Sequence, residues 1–525
     1  MMQAVHDVKP IRTTGLDCLE CLIATMAEHW GRGYQLMFLQ HHTFDYIRSE
    51  EHPLARNLIC SPLRSFDNLL TYHGIAFERF NGFTGETALA HIYDQVERGT
   101  CLIVELLAAS IPWDVHYESN HMTDTHAVLV IGVDRQGERV LCTDSFYEQY
   151  RVELPAECIR KGYVMHAAIR LAGDETSGLD DVTEALLIQL FRTDVQRRGE
   201  AIHQLAEDIA SRDMAVEVGV EPEQSEFVQT LFRISKLYKQ LGLIAGQLQA
   251  ARSGIGGHTW SECLDIIGNR WGIVAAMMMK LACAPKDAKL ISAVVQRLKQ
   301  IAELEQEMAV ALADSGRSQP NTIPYSKHGA VEIGDYAQFV NVELDAYYNN
   351  HGFYKDADTR AARLACDGSF ALDDGTLFGR TLAVGRMKFK LPRLRPDKDD
   401  NLSCQGQVVP IQPGKYSAIC LLACSEWGHT TEPLMVIDED GQLHSVMMQF
   451  TDWYEHDPQY GEQAAWRGKL GRWAEDGTIC KGDSMHTIYA DCYPLELSGA
   501  IIGLQLPYCP NLHLFAISLI RLQER

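Results

Sequence analysis

The sequence predicts a multidomain α+β protein, and two observations lead to that prediction. The chain has 525 residues, which is too long for a single hydrophobic core. Its apolar residues first follow a mixture of helical and strand spacings, then helical spacing alone, and finally a spacing of two. We therefore expect an N-terminal α+β domain over residues 1–172, a helical bundle over 173–316 and an all-β sandwich over 328–525.

The N-terminal region combines helices with an antiparallel sheet. Leu22, Met26 and Trp30 have helical spacing, and Gly31 follows them as a residue that ends helices. The short apolar runs after residue 100 are separated by turns, which is typical of strands. The predicted helices are 19–30, 66–73 and 86–98, and the predicted strands are 101–107, 126–134 and 140–144. The last two strands flank a turn and should form a hairpin.

The middle of the chain is predicted to be all helical, and the last third all β. Proline interrupts the helical pattern near residues 222 and 285, so about four helices result, over 182–211, 223–252, 259–281 and 285–312. A polar linker over 315–321 follows, and the period then changes to two. Strands are expected over 339–344, 416–423, 433–437, 445–450 and 512–519, which favours a β-sandwich.

The net charge and the cysteine content indicate which partners and which cellular compartment to expect. The net charge of -23 disfavours nucleic acid and anionic membranes as partners. Residues 1–7 have no basic segment followed by an apolar core, so we expect no signal peptide, and no apolar run is long enough to span a membrane. Fifteen cysteines, an odd number scattered along the chain, together with the missing signal peptide lead us to expect a cytoplasmic protein with reduced thiols. We expect no cofactor. Cys18 and Cys21 form a C-x-x-C pair, but a zinc or redox role would need a second such pair or a βαβ context, and the sequence shows neither.

Three residues are candidates for a catalytic triad. Cys18 opens the first helix, where the partial positive charge of the helix N-terminus favours a thiolate. His126 begins one strand of the predicted hairpin and Asp144 ends the other, so both lie at the same end of it. The alternatives are an inert buried cysteine, an edge histidine and a turn-forming aspartate. His116 and His121 are weaker candidates for the base, and Cys21, one turn into the helix, is expected to be packing.

The residues around Cys18 resemble a known family. Asp17-Cys18 followed by Leu22, Met26 and His29-Trp30-Gly31 resembles the signature of the C39-type papain-like cysteine peptidases. The strand His126–Asp134 and the pair Asp144-Ser145 resemble the histidine strand of that family and the strand after it. Residues 97–104 and 111–113 are similar to the butirosin biosynthesis protein H branch, whose prototype moves an aminoacyl group from a carrier-protein thioester to an amine of a small natural product.

This resemblance covers residues 10–165 and implies a papain-like domain. It implies that Cys18 is the nucleophile, His126 the general base and acid, and Asp144 the carboxylate that orients the histidine. The chain departs from the family in two places. Leu19 stands where the family has glycine, and residues 10–15 contain no glutamine to donate a hydrogen bond to the oxyanion. The backbone N–H of Cys18 can supply one donor, and Thr13, Thr14 or a residue elsewhere must supply another.

The C-terminal region has a second resemblance. Residues 405–411, 414–416, 450–453 and 504–517 resemble β-sandwich modules appended to bacterial glycosidases. Modules of that kind often bind sugars, and a sandwich that only packs or that forms a homodimer is the alternative. The tryptophans of this region could stack on a ligand or fill the core; they are Trp427, Trp453, Trp466 and Trp473.

Three functions remain open from the sequence. The first is a cysteine-dependent acyltransferase of natural-product (antibiotic) biosynthesis, which forms an amide or ester from an acyl or peptidyl carrier-protein thioester and a small-molecule amine or hydroxyl. The second is a papain-like peptidase or amidase that hydrolyses a peptide or a peptidyl thioester. The third is a non-catalytic binding module, which the missing glutamine favours.

Overall fold

The protein is mixed α/β, with several sheets and a C-terminal β-sandwich. The computed structural model describes most of the chain. The described residues are 3–4, 6–13, 15–39, 44–60, 64–114, 117, 124–176, 179, 181–182, 185, 195–219, 224–251, 260–313, 331, 333–334, 337–354, 362–364, 368–371, 378–391, 393–395, 398–455, 457–473 and 479–521. In this part of the chain, no helix combines the length and the apolar character that crossing a membrane requires.

The N-terminal region is built on an antiparallel sheet. Its strands lie in the order β4-β9-β5-β6-β7-β8, and β1 pairs with β6 beyond the end of β5. The strands are β1 Gln3–Ala4, β4 Ile75–Phe80, β5 Leu102–Leu107, β6 Thr125–Asp134, β7 Arg139–Asp144, β8 Gln149–Pro155 and β9 Tyr163–Leu171, beside a separate pair of β2 Phe44–Tyr46 and β3 Leu58–Cys60. The helices are α1 Cys18–His29, α2 Leu54–Asn57, α3 Phe66–His73, α4 Gly85–Glu97 and α5 Ala156–Gly162.

This sheet is buried on both faces because its strand residues alternate between two layers of helices. Ile103 and Leu129 belong to the core that includes α1. Val104 and Val130, one residue along each strand, belong to a second core that includes α4 and α5. Since both faces are covered, the strands are nearly continuous apolar runs. These runs are the pattern from which the sequence predicts β5, β6 and β7.

Long helices fill the middle of the chain, as the sequence predicts. They are α6 Val195–Ser211, α8 Glu226–Ala251, α9 Trp260–Cys283 and α10 Ala288–Ala313, with the short α7 Met214–Val218 between the first two. The predicted N-terminal part of the first helix falls largely outside the described residues, and so does the predicted linker over 315–321. Residues Ile202, Leu231, Val274 and Leu298 of the four long helices are fully buried in one core.

The C-terminal region contains two main antiparallel sheets. The larger has the order β10-β23-β17-β21-β20-β12-β11, with β15 also pairing with β23, and the smaller has the order β16-β22-β18-β19. Their bounds are β10 Phe339–Val342, β11 Phe353–Tyr354, β12 Ser369–Ala371, β15 Leu402–Gln405, β16 Val408–Gly414, β17 Tyr416–Ser425, β18 Thr430–Asp438, β19 Leu443–Phe450, β20 Gln463–Trp473, β21 Ile479–Pro494, β22 Ile501–Gln505 and β23 Tyr508–Arg521. A hairpin of β13 Thr381–Val384 and β14 Met387–Lys390 accompanies them.

Strand β17 joins two cores. Its residues Ile419 and Leu421 belong to the core that also contains α1 and the long helices, whereas Cys420 and Leu422 belong to a separate core on the other face of the large sheet. Polar contacts also join the sandwich to the long helices. Arg297 of α10 pairs with Glu432 of β18, and Lys280 of α9 donates to the Pro510 carbonyl. The three predicted regions therefore share one continuous hydrophobic core.

The sequence did not reveal every strand. The sequence pattern predicts none of β4, β8 and β9, although β9 is an interior strand of the N-terminal sheet. Their sequences carry charged residues at exposed positions, such as Glu78 and Arg170 on the paired β4 and β9. These charges interrupt the apolar pattern from which strands are read.

A cavity made where β17 packs against the helices should lower the stability of the protein. Leu421 is fully buried, so Leu421→Ala should lower the free energy of unfolding by about 2–5 kcal/mol. Leu443 is 52% exposed, so Leu443→Ala is the matched control and should stay within about 0.5 kcal/mol of the parent protein. Chemical unfolding followed by circular dichroism measures both changes. Equal destabilisation by the two substitutions would contradict the described core.

Candidate functional site

The start of α1 is set by a capping box. The side chain of Asp17 accepts a hydrogen bond from the Glu20 backbone N–H at 2.9 Å, and Glu20 accepts one from the Asp17 N–H at 3.0 Å. An acidic residue followed three positions later by glutamate satisfies two helix-end donors in this way. Cys18 is consequently the first residue of the helix. In the described residues nothing accepts a hydrogen bond from its backbone N–H.

Charged groups from two other elements hold this helix start. Arg64 lies 2.6 Å from Asp17 and 3.0 Å from Glu20, and Lys236 of α8 lies 2.7 Å and 2.8 Å from the same two carboxylates. Glu20 is fully buried, and Gln240 also donates to it. Burial alone would raise the pKa of Asp17, but the positive charges of Lys236 and Arg64 outweigh burial and lower it.

The two cysteines of α1 differ in accessibility. Cys18 is partly exposed, whereas Cys21 is fully buried and its thiol contacts the carbonyl oxygens of Thr13 and Leu16. Burial raises the pKa of Cys21 to about 12, so this thiol stays protonated at neutral pH. Cys21 is therefore a packing residue, and Cys18 is the thiol that a ligand can reach.

His126 and Asp144 form a buried pair. Nε2 of His126 lies 2.8 Å from Oδ2 of Asp144, and the two side chains are 6% and 0% exposed. The antiparallel pairing of β6 with β7 places the start of one strand beside the end of the other. Asp144 also accepts hydrogen bonds from the Trp113 indole N–H at 2.7 Å and from the backbone N–H groups of Phe146 and Tyr147 at 2.9 and 3.1 Å. These donors fix the carboxylate in one orientation.

The pairing of His126 with Asp144 shifts the pKa values of both residues. Burial alone would lower the pKa of His126, but the charge and hydrogen bond of Asp144, with further contributions from the adjacent Cys18, raise it to about 10. Burial alone would raise the pKa of Asp144, but His126, Trp113 and the backbone donors lower it. At neutral pH the pair is therefore an imidazolium and a carboxylate.

The structure thus brings Cys18, His126 and Asp144 together. Cys18 lies close enough to His126 to contribute to the raised pKa of the imidazole, and the imidazole pairs with the carboxylate of Asp144. A thiol, an imidazole and a carboxylate in this order can move a proton between the sulfur and a reacting group. Among the described residues, no group of three His, Cys, Asp or Glu side chains is placed to hold a metal ion.

Other predicted residues lie elsewhere. Thr13 lies beside Tyr34: burial raises the pKa of Tyr34 to about 12, and the Thr13 side chain opposes that rise. Thr14, His116 and His121 lie outside the described residues.

Sequence reasoning missed two neighbours of His126 and Asp144. The sequence gives Trp113 no role beyond the resemblance of residues 111–113, yet its indole N–H donates to Asp144. Asp114, 3% exposed at its side chain, has its carboxylate 3.9 Å from Nδ1 of His126. Both residues lie in the segment between β5 and β6, and an aromatic–acidic pair after an apolar strand was the available signal.

The tryptophans of the sandwich are mainly packed. Trp453 is fully buried against Phe370, and the Trp466 ring also packs on Phe370. Trp427 lies at the junction with the bundle, where its ring is 5.4 Å from that of Phe232 in α8. The side chain of Trp473 lies outside the described part of the structure. Core filling therefore accounts for the placement of Trp453 and Trp466.

Comparison with known proteins bears on the C-terminal region. Residues 337–523 match the model of a family described as AziU2-like beta-sandwich domain. The match covers the strands from β10 to β23 and agrees with the predicted β-sandwich. No curated protein matches the chain.

The His126–Asp144 pair predicts a pH dependence of stability. Because the pKa of His126 is raised from 6.5 to about 10, its stabilisation is complete below about pH 6.5 and is lost as the pH rises through about 10. Asp144→Asn removes this contribution, so the difference in Tm between parent and variant should be large at about pH 6 and small at about pH 10.

An exposed aspartate provides the control for this measurement. Asp94, 53% exposed at its side chain, pairs with Arg135, and Asp94→Asn should change Tm little at either pH. A gap between parent and Asp144→Asn that stays constant over this pH range would contradict the raised pKa of His126.

Proposed function

We propose that the protein is a cysteine-dependent acyltransferase that passes an acyl group from a carrier-protein thioester, through Cys18, to a small-molecule amine or hydroxyl. The observation that carries the proposal is an accessible thiol at a helix start that lies beside a buried imidazole, which in turn pairs with a carboxylate at 2.8 Å. The papain-like resemblance of residues 10–165 supports the same assignment of roles. Natural-product biosynthesis is the setting which that resemblance suggests.

In the first half-reaction the thioester is exchanged. The sulfur of Cys18, having given its proton to His126, attacks the carbonyl carbon of the donor and forms a new C–S bond. The carbonyl π electrons move to oxygen, and the tetrahedral oxyanion then collapses and breaks the bond to the donor sulfur. His126 returns the proton to the leaving thiol.

In the second half-reaction the acceptor takes the acyl group. Its amine or hydroxyl attacks the Cys18 thioester and gives a proton to His126, and the sulfur of Cys18 leaves. Asp144 keeps the imidazole oriented throughout, because its carboxylate is fixed by Trp113 and by two backbone donors. Water in place of the acceptor would give the peptidase or amidase reaction, which uses the same acyl-enzyme.

Formation of the acyl-enzyme tests the proposal. The protein is mixed with an acyl carrier thioester, and intact mass spectrometry measures covalent adducts. We expect one acyl group per chain, absent in Cys18→Ala and retained in the matched variant Cys21→Ala. A protein that gains no acyl group from thioesters, or that gains it equally in Cys18→Ala, would contradict the proposal and favour a binding module.

The fate of the adduct separates transfer from hydrolysis. Isolated acyl-enzyme is incubated with and without a small amine, and loss of the adduct mass is followed in time. Transfer predicts that the adduct is stable in buffer and that amine releases it as the amide. Equal loss in buffer and in amine, with free acid as the product, would indicate a hydrolase.

A further inference from the structure

One arginine stands beside the site without a sequence-based role. The guanidinium of Arg12 lies 5.2 Å above the centre of the Phe146 ring, and its Nε is 3.9 Å from a carboxylate oxygen of Glu455. The side chains of Arg12 and Glu455 are 19% and 18% exposed. The cation is thus seated between the N-terminal region and the β-sandwich.

The residues around Arg12 contact the elements that carry the proposed triad. The Phe146 ring lies 5.9 Å from the His126 ring, edge to face, and the Phe146 backbone N–H donates to Asp144. The neighbouring residue Ile11 exchanges hydrogen bonds with Thr25 of α1, and the Thr25 hydroxyl lies 2.7 Å from that of Ser145. The segment with Arg12 is therefore tied both to the helix of Cys18 and to the loop after Asp144.

The charge of Arg12 also acts towards α1. Burial raises the pKa of Cys21, and the positive charge of Arg12 opposes that rise. Since Cys21 lies one helical turn after Cys18, the charge of Arg12 acts on the same part of α1 that carries Cys18.

The donors of Arg12 are largely unused. Within the described residues no group accepts a hydrogen bond from its terminal nitrogens, and its ion pair with Glu455 is long. Arg64 and Lys236, the cations at the start of α1, are already paired with Asp17 and Glu20. A guanidinium carries five N–H donors and keeps its charge at all relevant pH values.

Acyl transfer requires donors at the place where negative charge develops. The tetrahedral intermediate on Cys18 carries an oxyanion, and preorganised donors at this oxygen make up a large part of catalysis by such sites. The unpartnered backbone N–H of Cys18 supplies one donor. A second donor has to come from another group near the thiol.

We propose that Arg12 is a further catalytic residue, whose terminal N–H groups donate to the oxyanion of the acyl group on Cys18. Glu455 is then a positioning residue through which the β-sandwich keeps the guanidinium over Phe146. The inference rests on the proposed acyl-transfer function. It gives the sandwich a part in the site, because the loop that carries Glu455 follows β19 of that region.

Two reactions of Cys18 separate this role from a structural one. The S-acetyl thioester of N-acetylcysteamine contains no phosphate. Acylation of Cys18 by this thioester passes through an oxyanion. Alkylation by iodoacetamide displaces iodide and forms no oxyanion. Arg12→Met should slow acylation about 100-fold or more and leave alkylation unchanged. Arg12→Gln, which keeps neutral N–H donors, should fall between the parent protein and Arg12→Met in acylation.

Arg32→Met is the matched control. Arg32 has a similar side-chain exposure of 23% and one 3.6 Å ion pair, with Asp174, but it lies past the opposite end of α1. Its acylation rate should equal that of the parent protein.

Four results would overturn the proposal. In the first, Arg12→Met is acylated as fast as the parent protein. In the second, Arg12→Met loses acylation and alkylation in equal measure. A loss confined to a phosphopantetheinyl carrier thioester would assign Arg12 to binding of the donor phosphate instead. If the parent protein itself is not acylated by any thioester, the proposed function fails and the role of Arg12 fails with it.

Discussion

A buried carboxylate, Glu20, is the constraint on which the site depends. It is fully buried in the first turn of α1, and it has to be compensated by Arg64, Lys236 and the capping hydrogen bond with Asp17. Removing one partner of a buried ion pair typically costs about 3–5 kcal/mol, because a charge is then left without compensation. The helix that starts with Cys18 is therefore fixed to the bundle through α8, and the position of the thiol follows from that attachment.

The shared core extends this constraint to the sandwich. Residues of α1, of the long helices and of one face of the large C-terminal sheet pack in a single cluster. Since polar contacts such as Arg297 with Glu432 also cross the junction, the loop with Glu455 has a defined place relative to the N-terminal region. The region that matches the AziU2-like β-sandwich model thus contacts the segment that precedes Cys18, through Glu455 and Arg12.

The parts of the site that the sequence predicted are those marked by element ends. Cys18 follows an N-capping aspartate, and His126 and Asp144 lie at one end of a hairpin whose strands are plainly apolar. Such signals are local, because capping, turns and strand periodicity are read within a few residues. The pairing of His126 with Asp144 could therefore be expected before any coordinates were known.

The parts that could not be predicted depend on contacts between distant segments. Arg12 and Glu455 come from opposite ends of the chain, and nothing in the local pattern of either residue points to the other. The same applies to Lys236, which looks like an ordinary charged residue of an amphipathic helix but compensates Glu20. Trp453 could have been a ligand-stacking residue or core, and only its full burial against Phe370 decides between them.

The central claim is that His126 activates Cys18, and competitive alkylation tests it most directly. The protein is treated with limiting iodoacetamide at neutral pH, and peptide mass spectrometry compares modification of Cys18 with that of Cys158, another partly exposed cysteine, whose pKa burial raises. We predict that Cys18 is modified first in the parent protein and that His126→Ala removes this advantage. Equal modification of Cys18 and Cys158 in the parent protein would contradict the claim.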